Sequence, residues 1–302
     1  MLDSPHGTLR QLAAALPEDV RDDVIIVGSL AAAARFVTPD DHEPVRTKDI
    51  DCLLSPHLRA QASGRKTAEA LLKNGWRIRQ GTDWSQPGTE SDPTDKLPVV
   101  RLVPPGEEQW FLELLSSPEA SQQTGRQFQR LETEFGHFAL CSFRFLALAE
   151  LDPLMTDSGL KIARPEMMAL ANLLHHPRLA TDTMSGLIEG RQIRRSSKDL
   201  GRVLALAFLA EREDDELIDS WPESWATALE TTFPEQAERW LSDIGGGLEQ
   251  MLQAAHAEYL EEAHHTCTSG LLARHRLSLD AFAALGRRVM GELIEPARRL
   301  AQ

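Results

Sequence analysis

The chain has 302 residues, 42% of them hydrophobic and 26% charged, with a formal net charge of −14 at pH 7 and a pI near 5.2. That apolar content supports one large or two modest cores and places the chain among ordinary globular proteins. The acid excess excludes broad, non-specific nucleic-acid affinity, which depends on lysine and arginine neutralising phosphates, while leaving room for a local basic face.

Residues 7 to 16 carry the spacing of a short amphipathic helix. The run from Asp23 to Val27 is β-branched and apolar, which predicts a buried strand ending at Gly28-Ser29. The alanine-rich segment Leu30 to Phe36 then begins a helix, so the Gly-Ser turn presents backbone N–H groups at a helix start, an arrangement that binds anions. The stretch Pro39-Asp40-Asp41-His42-Glu43-Pro44 reads as an inserted acidic loop. After Lys48 comes a second strand, Ile50 to Leu54, whose alternation sends Asp49 and Asp51 to one face and Ile50 to the core. Two carboxylates on one face can share a divalent cation, and magnesium takes one or two carboxylates plus water and substrate phosphates.

Arg65 to Lys73 is expected as a helix ending at Asn74-Gly75, and Gly81 to Asp95 as a loop. Leu97 to Val103 and Gln109 to Leu115 read as strands joined by Pro104-Pro105-Gly106-Glu107. Glu113 interrupts the second of these apolar runs. Burying it uncompensated costs several kcal/mol, so either a metal balances it or it is an edge-strand charge that discourages aggregation. From Ser142 helical periodicity takes over, apart from a short strand at Leu160 to Ala163. From Pro165 to Gln302 the pattern is almost wholly helical, with breaks at Pro177, Pro222, Pro234, Gly245-Gly246-Gly247, Gly270 and Pro296.

Trp221, Trp225 and Trp240 stand at helical spacing and read as core. Cys52, Cys141 and Cys267 are far apart without CxxC spacing, which predicts buried free thiols rather than a disulfide framework or zinc site. His175-His176 and His264-His265 lack a second ligand cluster at finger spacing and read as polar helix-terminal residues. Ser29 lacks the second glycine of a nucleophile elbow. Basic residues gather at Arg191 to Arg202 and again at Arg274 to Arg299; the first group is the expected nucleotide contact, the second either a set of solvated helix faces or an RNA or partner surface. No run of eighteen apolar residues occurs, and the N-terminus lacks signal-peptide character, so no membrane partner and a cytoplasmic location are expected.

The order of a Gly-Ser turn, a helix, an Asp-x-Asp strand and a later acidic strand resembles the nucleotidyltransferase superfamily in its minimal, DNA polymerase beta-like form. Leu160-Lys161-Ile162-Ala163-Arg164-Pro165-Glu166 and Arg194-Arg195-Ser196-Ser197-Lys198-Asp199-Leu200 extend the likeness to the helical part of the toxin- and defence-type members, over about residues 20 to 210. The resemblance implies an α/β nucleotidyltransferase core with a small mixed sheet at 1–140 and an all-helical domain at 141–302. It implies that Asp49, Asp51 and Glu113 are catalytic and hold the metal, two Mg²⁺ ions for which Mn²⁺ can substitute, with Glu113 alternatively the base on the attacking group. Gly28, Ser29, Lys48, Arg178, Arg194, Arg195, Lys198 and Asp199 would bind the nucleotide. Asn172 departs from the pattern, standing where the family carries a lysine. An arginine among Arg178, Arg194 and Arg195 can supply the cation, because guanidinium clamps phosphate oxygens bidentately.

The implied activity is transfer of a nucleoside monophosphate from an NTP to an acceptor, tRNA or protein in a toxin–antitoxin or phage-defence setting, with a cognate antitoxin as a further partner. Small-molecule acceptors such as aminoglycosides, a catalytically silent binding or regulatory module of the same fold, and a helical interaction protein with the α/β part as scaffold are the alternatives.

Overall fold

The computed structural model describes residues 4–38, 49–80, 86–106, 110–117 and 126–301. Lys48, the acidic stretch 39–44, residues 81–85 of the expected loop, and Glu107 and Gln109 lie outside them. The chain divides into two compact units, Met1–Arg164 and Pro165–Gln302.

The first unit is mixed α/β. It comprises α1 (Pro5–Ala15), β1 (Val24–Val27), α2 (Gly28–Phe36), β2 (Asp49–Leu54), α3 (His57–Lys73), β3 (Arg77–Ile78), β4 (Arg101–Val103), β5 (Phe111–Ser116), β6 (Arg126–Thr133), β7 (Gly136–Phe143), β8 (Leu154–Met155) and β9 (Lys161–Ile162). One mixed sheet runs β3-β4-β5-β2-β1-β9-β8, with β7 beside the end of β5 at Leu115↔Cys141 and β6 beside β7. Strand β2 is antiparallel to β1 and parallel to β5, and β4 is antiparallel to β5. All four residues of β1 are buried, which explains its unbroken apolar run.

Local chemistry accounts for the element ends. Ser4 caps α1, its Oγ accepting from the Gly7 N–H at 2.9 Å, and Pro5 occupies the first turn. Helix α3 closes as the spacing predicts, on a Schellman turn in which the N–H groups of Gly75 (φ +84°) and Trp76 donate to Leu72 and Leu71. It begins at His57 rather than Arg65, because its buried face is built of Ala60, Ser63, Gly64, Thr67, Ala68 and Leu71. Small residues give a weak hydropathy signal there, yet they let the helix lie close on the sheet: a Cβ at Gly64 would stand 3.0 Å from Leu54 Cδ1.

Two expectations are corrected. The strand expected over 97–103 is confined to Arg101–Val103, Val99 making only a single bridge to Ala139. The β6–β7 hairpin was not anticipated, and β7 occupies the place where helix was expected from Ser142; residues 144–150 follow as a 3₁₀ turn. Strand β6 is largely half-exposed and rich in arginine and glutamine, so it lacks the apolar alternation that marks a strand. Residue 140 lies inside β7, and the first unit runs on to Arg164.

The second unit is helical: α4 (Pro165–His175), α5 (Arg195–Glu213), α6 (Asp215–Asp219), α7 (Trp221–Thr232), α8 (Ala237–Asp243), α9 (Gly246–Met251), α10 (Ala257–Thr268) and α11 (Leu279–Val289). A single π turn, Met290–Ile294, leads into α12 (Glu295–Arg299). Helices α4 and α10 pack on α5. Trp221 and Trp225 are fully buried, Trp225 Nε1 donating to the Glu166 carbonyl at 2.9 Å, while Trp240 is half-buried against Phe233. The three cysteines are free and buried. Among the described residues, no helix is long and apolar enough to cross a membrane.

Candidate active site

Four strands align one residue each into a row. The registers Val27↔Asp51, Asp51↔Glu113 and Arg101↔Glu113 place Val27, Asp51, Glu113 and Arg101 side by side across β1, β2, β5 and β4. Asp49 lies two residues before Asp51 on the same face of β2, opposite Phe111, while Ile50 and Cys52 between and beyond them are fully buried on the other. Both aspartates are half-buried. Burial, reinforced by the Asp51 charge, pushes the Cys52 thiol well above its ordinary range, so it is a neutral core group.

Gly28 joins β1 to α2 with φ +76°, a conformation that L side chains rarely adopt. A Cβ there would also stand 2.8 Å from Asp51 Oδ2, so the turn and the carboxylate are packed against each other. Val27, the N-cap residue of α2, has no side chain able to accept from first-turn N–H groups. The start of α2 therefore brings peptide dipoles to the edge of the acidic row, with half-buried Ser29 in its first turn.

Glu113 is 8% exposed, and its compensation is a cation of the chain itself: Arg101 Nε donates to Glu113 Oε2 at 2.7 Å. The edge-strand reading fails, since β5 lies between β2 and β4. Desolvation pulls the Arg101 pKa down, but the hydrogen bond and charge of Glu113, with Asp49 and Asp51, hold it above the ordinary arginine value. The Arg79 guanidinium stacks on the Phe111 ring at 3.9 Å, and the Arg79 backbone N–H donates to the Arg101 carbonyl. Burial and the Arg101 charge depress its pKa, against the opposing pull of Asp49 and Glu113. Neither arginine was singled out from the sequence. The signal for Arg101 is in the β4–β5 pairing, in which 101 and 113 stand directly opposite.

Among the described residues, no three His, Cys, Asp or Glu side chains are grouped so as to hold a metal ion. The donors nevertheless suit a hard cation. Asp49 and Asp51 carry carboxylates on one face of β2, the ligand type magnesium takes, while Arg101 holds one oxygen of Glu113, Oε2.

The candidates in the helical unit fall into separate environments. Arg194 is engaged by Glu262 at 2.7 Å and Glu258 at 3.1 Å, over the Tyr259 ring at 4.2 Å. Arg195 pairs with Asp182 at 3.4 Å. Asp199 accepts from His176 Nε2 at 2.9 Å; burial opposes its ionisation, but that bond and the charges of Lys198 and Arg202 hold it well below the usual carboxylate range. Lys198, half-buried, makes no side-chain hydrogen bond to another described residue. Arg178 lines a concavity that includes none of these residues. Asn172 is half-buried in α4. His264 and His265 bond the backbone carbonyls of Leu277 and Ile188, and burial pushes the Cys267 thiol up to about 12.

No family model matches the chain, and no curated protein matches it in sequence. The case for a function therefore stands on this geometry and on the order of its motifs.

Proposed function

We propose that the protein is a metal-dependent nucleotidyltransferase whose active site is the row Gly28, Asp49, Asp51 and Glu113. One observation carries the reading: Asp51 stands in register with Glu113 across β2 and β5 while its Oδ2 packs against the Gly28 turn that starts α2. This puts hard oxygen ligands and an anion-binding helix start at one place, as a magnesium-bound triphosphate requires.

In this scheme Asp49 and Asp51 hold magnesium, which, when bound, neutralises phosphate oxygens and stabilises charge developing on the attacking and leaving oxygens. The N–H groups of the Gly28-Ser29 turn hold the polyphosphate. Arg79, fixed by the Phe111 ring, and Arg101, fixed by Glu113, add positive charge beside it. The acceptor hydroxyl attacks the α-phosphorus; the new O–P bond forms as the bond to the β-phosphate oxygen breaks, and pyrophosphate leaves. Glu113 takes the hydroxyl proton on Oε1, the oxygen opposite the one Arg101 holds. The toxin or defence setting, with an RNA or protein acceptor and a cognate antitoxin, is supported by the motif resemblance alone.

A second reading, a nucleotide-binding module without transferase activity, is favoured by the Arg101–Glu113 pair, which commits the third carboxylate to an arginine. Incubation with magnesium, each α-labelled NTP in turn and a pool of total RNA and cell lysate separates the two. Label entering RNA or protein with the wild type, and not with Asp49→Ala/Asp51→Ala, supports transfer. Absence of label with every NTP, with either magnesium or manganese, leaves the binding module as the better reading.

A further inference from the structure

We propose that a concavity formed wholly within the helical unit binds an organic phosphate. It is an open concavity of about 460 Å³, within the range of small-ligand sites, lined by Arg178, Arg239, Arg298, Gln250 and Asp243 among others. Three arginines and one acidic residue line it, in a chain with 46 acidic and 32 basic residues. Against that excess of acids, neither the Arg178 nor the Arg239 side chain makes a hydrogen bond or ion pair with another described residue.

The cradle around them is fixed. A Cβ at Gly246 would stand 2.8 Å from the Pro177 carbonyl oxygen, so α9 packs directly on the chain that carries Arg178. Arg298 is anchored through Nε to the Ile244 carbonyl at 2.9 Å and through a terminal nitrogen to Glu249 at 3.2 Å. Gln250 Oε1 accepts from the Leu179 N–H at 3.1 Å, tying α9 to the chain just after Arg178. Paired guanidiniums match phosphate oxygens bidentately, and the volume admits a phosphate together with the group that carries it. The phosphate comes either from a free nucleotide or from the backbone of an RNA strand.

Two probes distinguish these sources: ATP without magnesium by calorimetry, and a fluorescein-labelled twelve-nucleotide oligouridylate by anisotropy. All samples carry Asp49→Ala/Asp51→Ala, so the outcome is independent of the transferase reading. Adding Arg178→Ala/Arg239→Ala is expected to weaken one probe at least tenfold, with an unchanged melting temperature because both side chains are exposed. Loss of ATP affinity identifies a nucleotide site; loss of oligonucleotide affinity, with a shallower salt dependence, identifies an RNA track. Binding of both probes within twofold of the Arg178/Arg239-containing parent, or no binding of either by that parent below about 1 mM, would overturn the proposal.

Discussion

A methyl group at Gly28 meets two obstacles, a left-handed backbone and the Asp51 carboxylate 2.8 Å away. Gly28→Ala is therefore expected to cost about 1–3 kcal/mol in urea unfolding and to reduce nucleotide transfer more than tenfold by displacing Asp51. Wild-type stability and activity in this variant would contradict the placement. At Glu113 the question is which partner balances the charge. Arg101→Ala leaves a nearly buried carboxylate without its donor, and about 1–3 kcal/mol of stability should be lost. Adding Glu113→Gln should restore part of that loss, because the charge that needed compensation is gone; a double variant weaker than Arg101→Ala would show that Arg101 acts chiefly elsewhere. Asp199 supplies a pH dependence. Its folded pKa lies below the unfolded value of 3.8, so its contribution is present above the ordinary carboxylate range and lost as pH falls through that range toward the folded value. Asp199→Asn should thus be less stable than wild type near neutrality, with the difference shrinking through acid titration of the melting temperature. Asp49 and Asp51 were legible because strand alternation is a local rule, and Glu113 because an acid interrupts an apolar run. Arg79 and Arg101 were not, since an arginine near a strand end looks solvated until cross-strand register places a carboxylate or a ring against it.

At the scale of elements, what was legible tracked how locally each was specified. The β1–α2–β2 succession is written in contiguous residues: a four-residue apolar run, a glycine that must turn, an alanine-rich helix and an alternating strand. The β6–β7 hairpin depends instead on pairing with β5 and on Gly136 (φ +118°) turning tightly against Pro87. Helix α3 hid its first two turns because its buried face is made of small residues. Close packing through glycine recurs between α5 and α10, where a Cβ at Gly201 would stand 3.1 Å from Ala263 Cβ and from Cys267 Sγ. Gly201→Leu overfills that crossing and should destabilise by about 1–3 kcal/mol. Gly291→Ala, in a helical turn with nothing within 4 Å of the added carbon, should gain about 0.5–1 kcal/mol. Thermal denaturation of the pair reads both signs, and a stable Gly201→Leu would mean that α5 and α10 are not held in close contact.

For the molecule as a whole, the chain divides into a mixed α/β unit, Met1–Arg164, and a helical unit, Pro165–Gln302, whereas the periodicity along the sequence changes near Ser142. Net charge describes the partners less well than its distribution does. The overall balance of −14 speaks against indiscriminate polyanion binding, yet Arg79 and Arg101 flank one candidate site and Arg178, Arg239 and Arg298 line another. Neither grouping is visible in a linear count, because each assembles residues from separate elements. The central claim, that Gly28, Asp49 and Asp51 together bind a metal–nucleotide complex, is tested most directly by the melting temperature of the full chain. It is measured with magnesium alone, NTP alone and both, in wild type and Asp51→Ala. The account predicts a rise that needs both ligands and vanishes in Asp51→Ala; an equal rise in the variant, or none in wild type at millimolar magnesium and NTP, would contradict it.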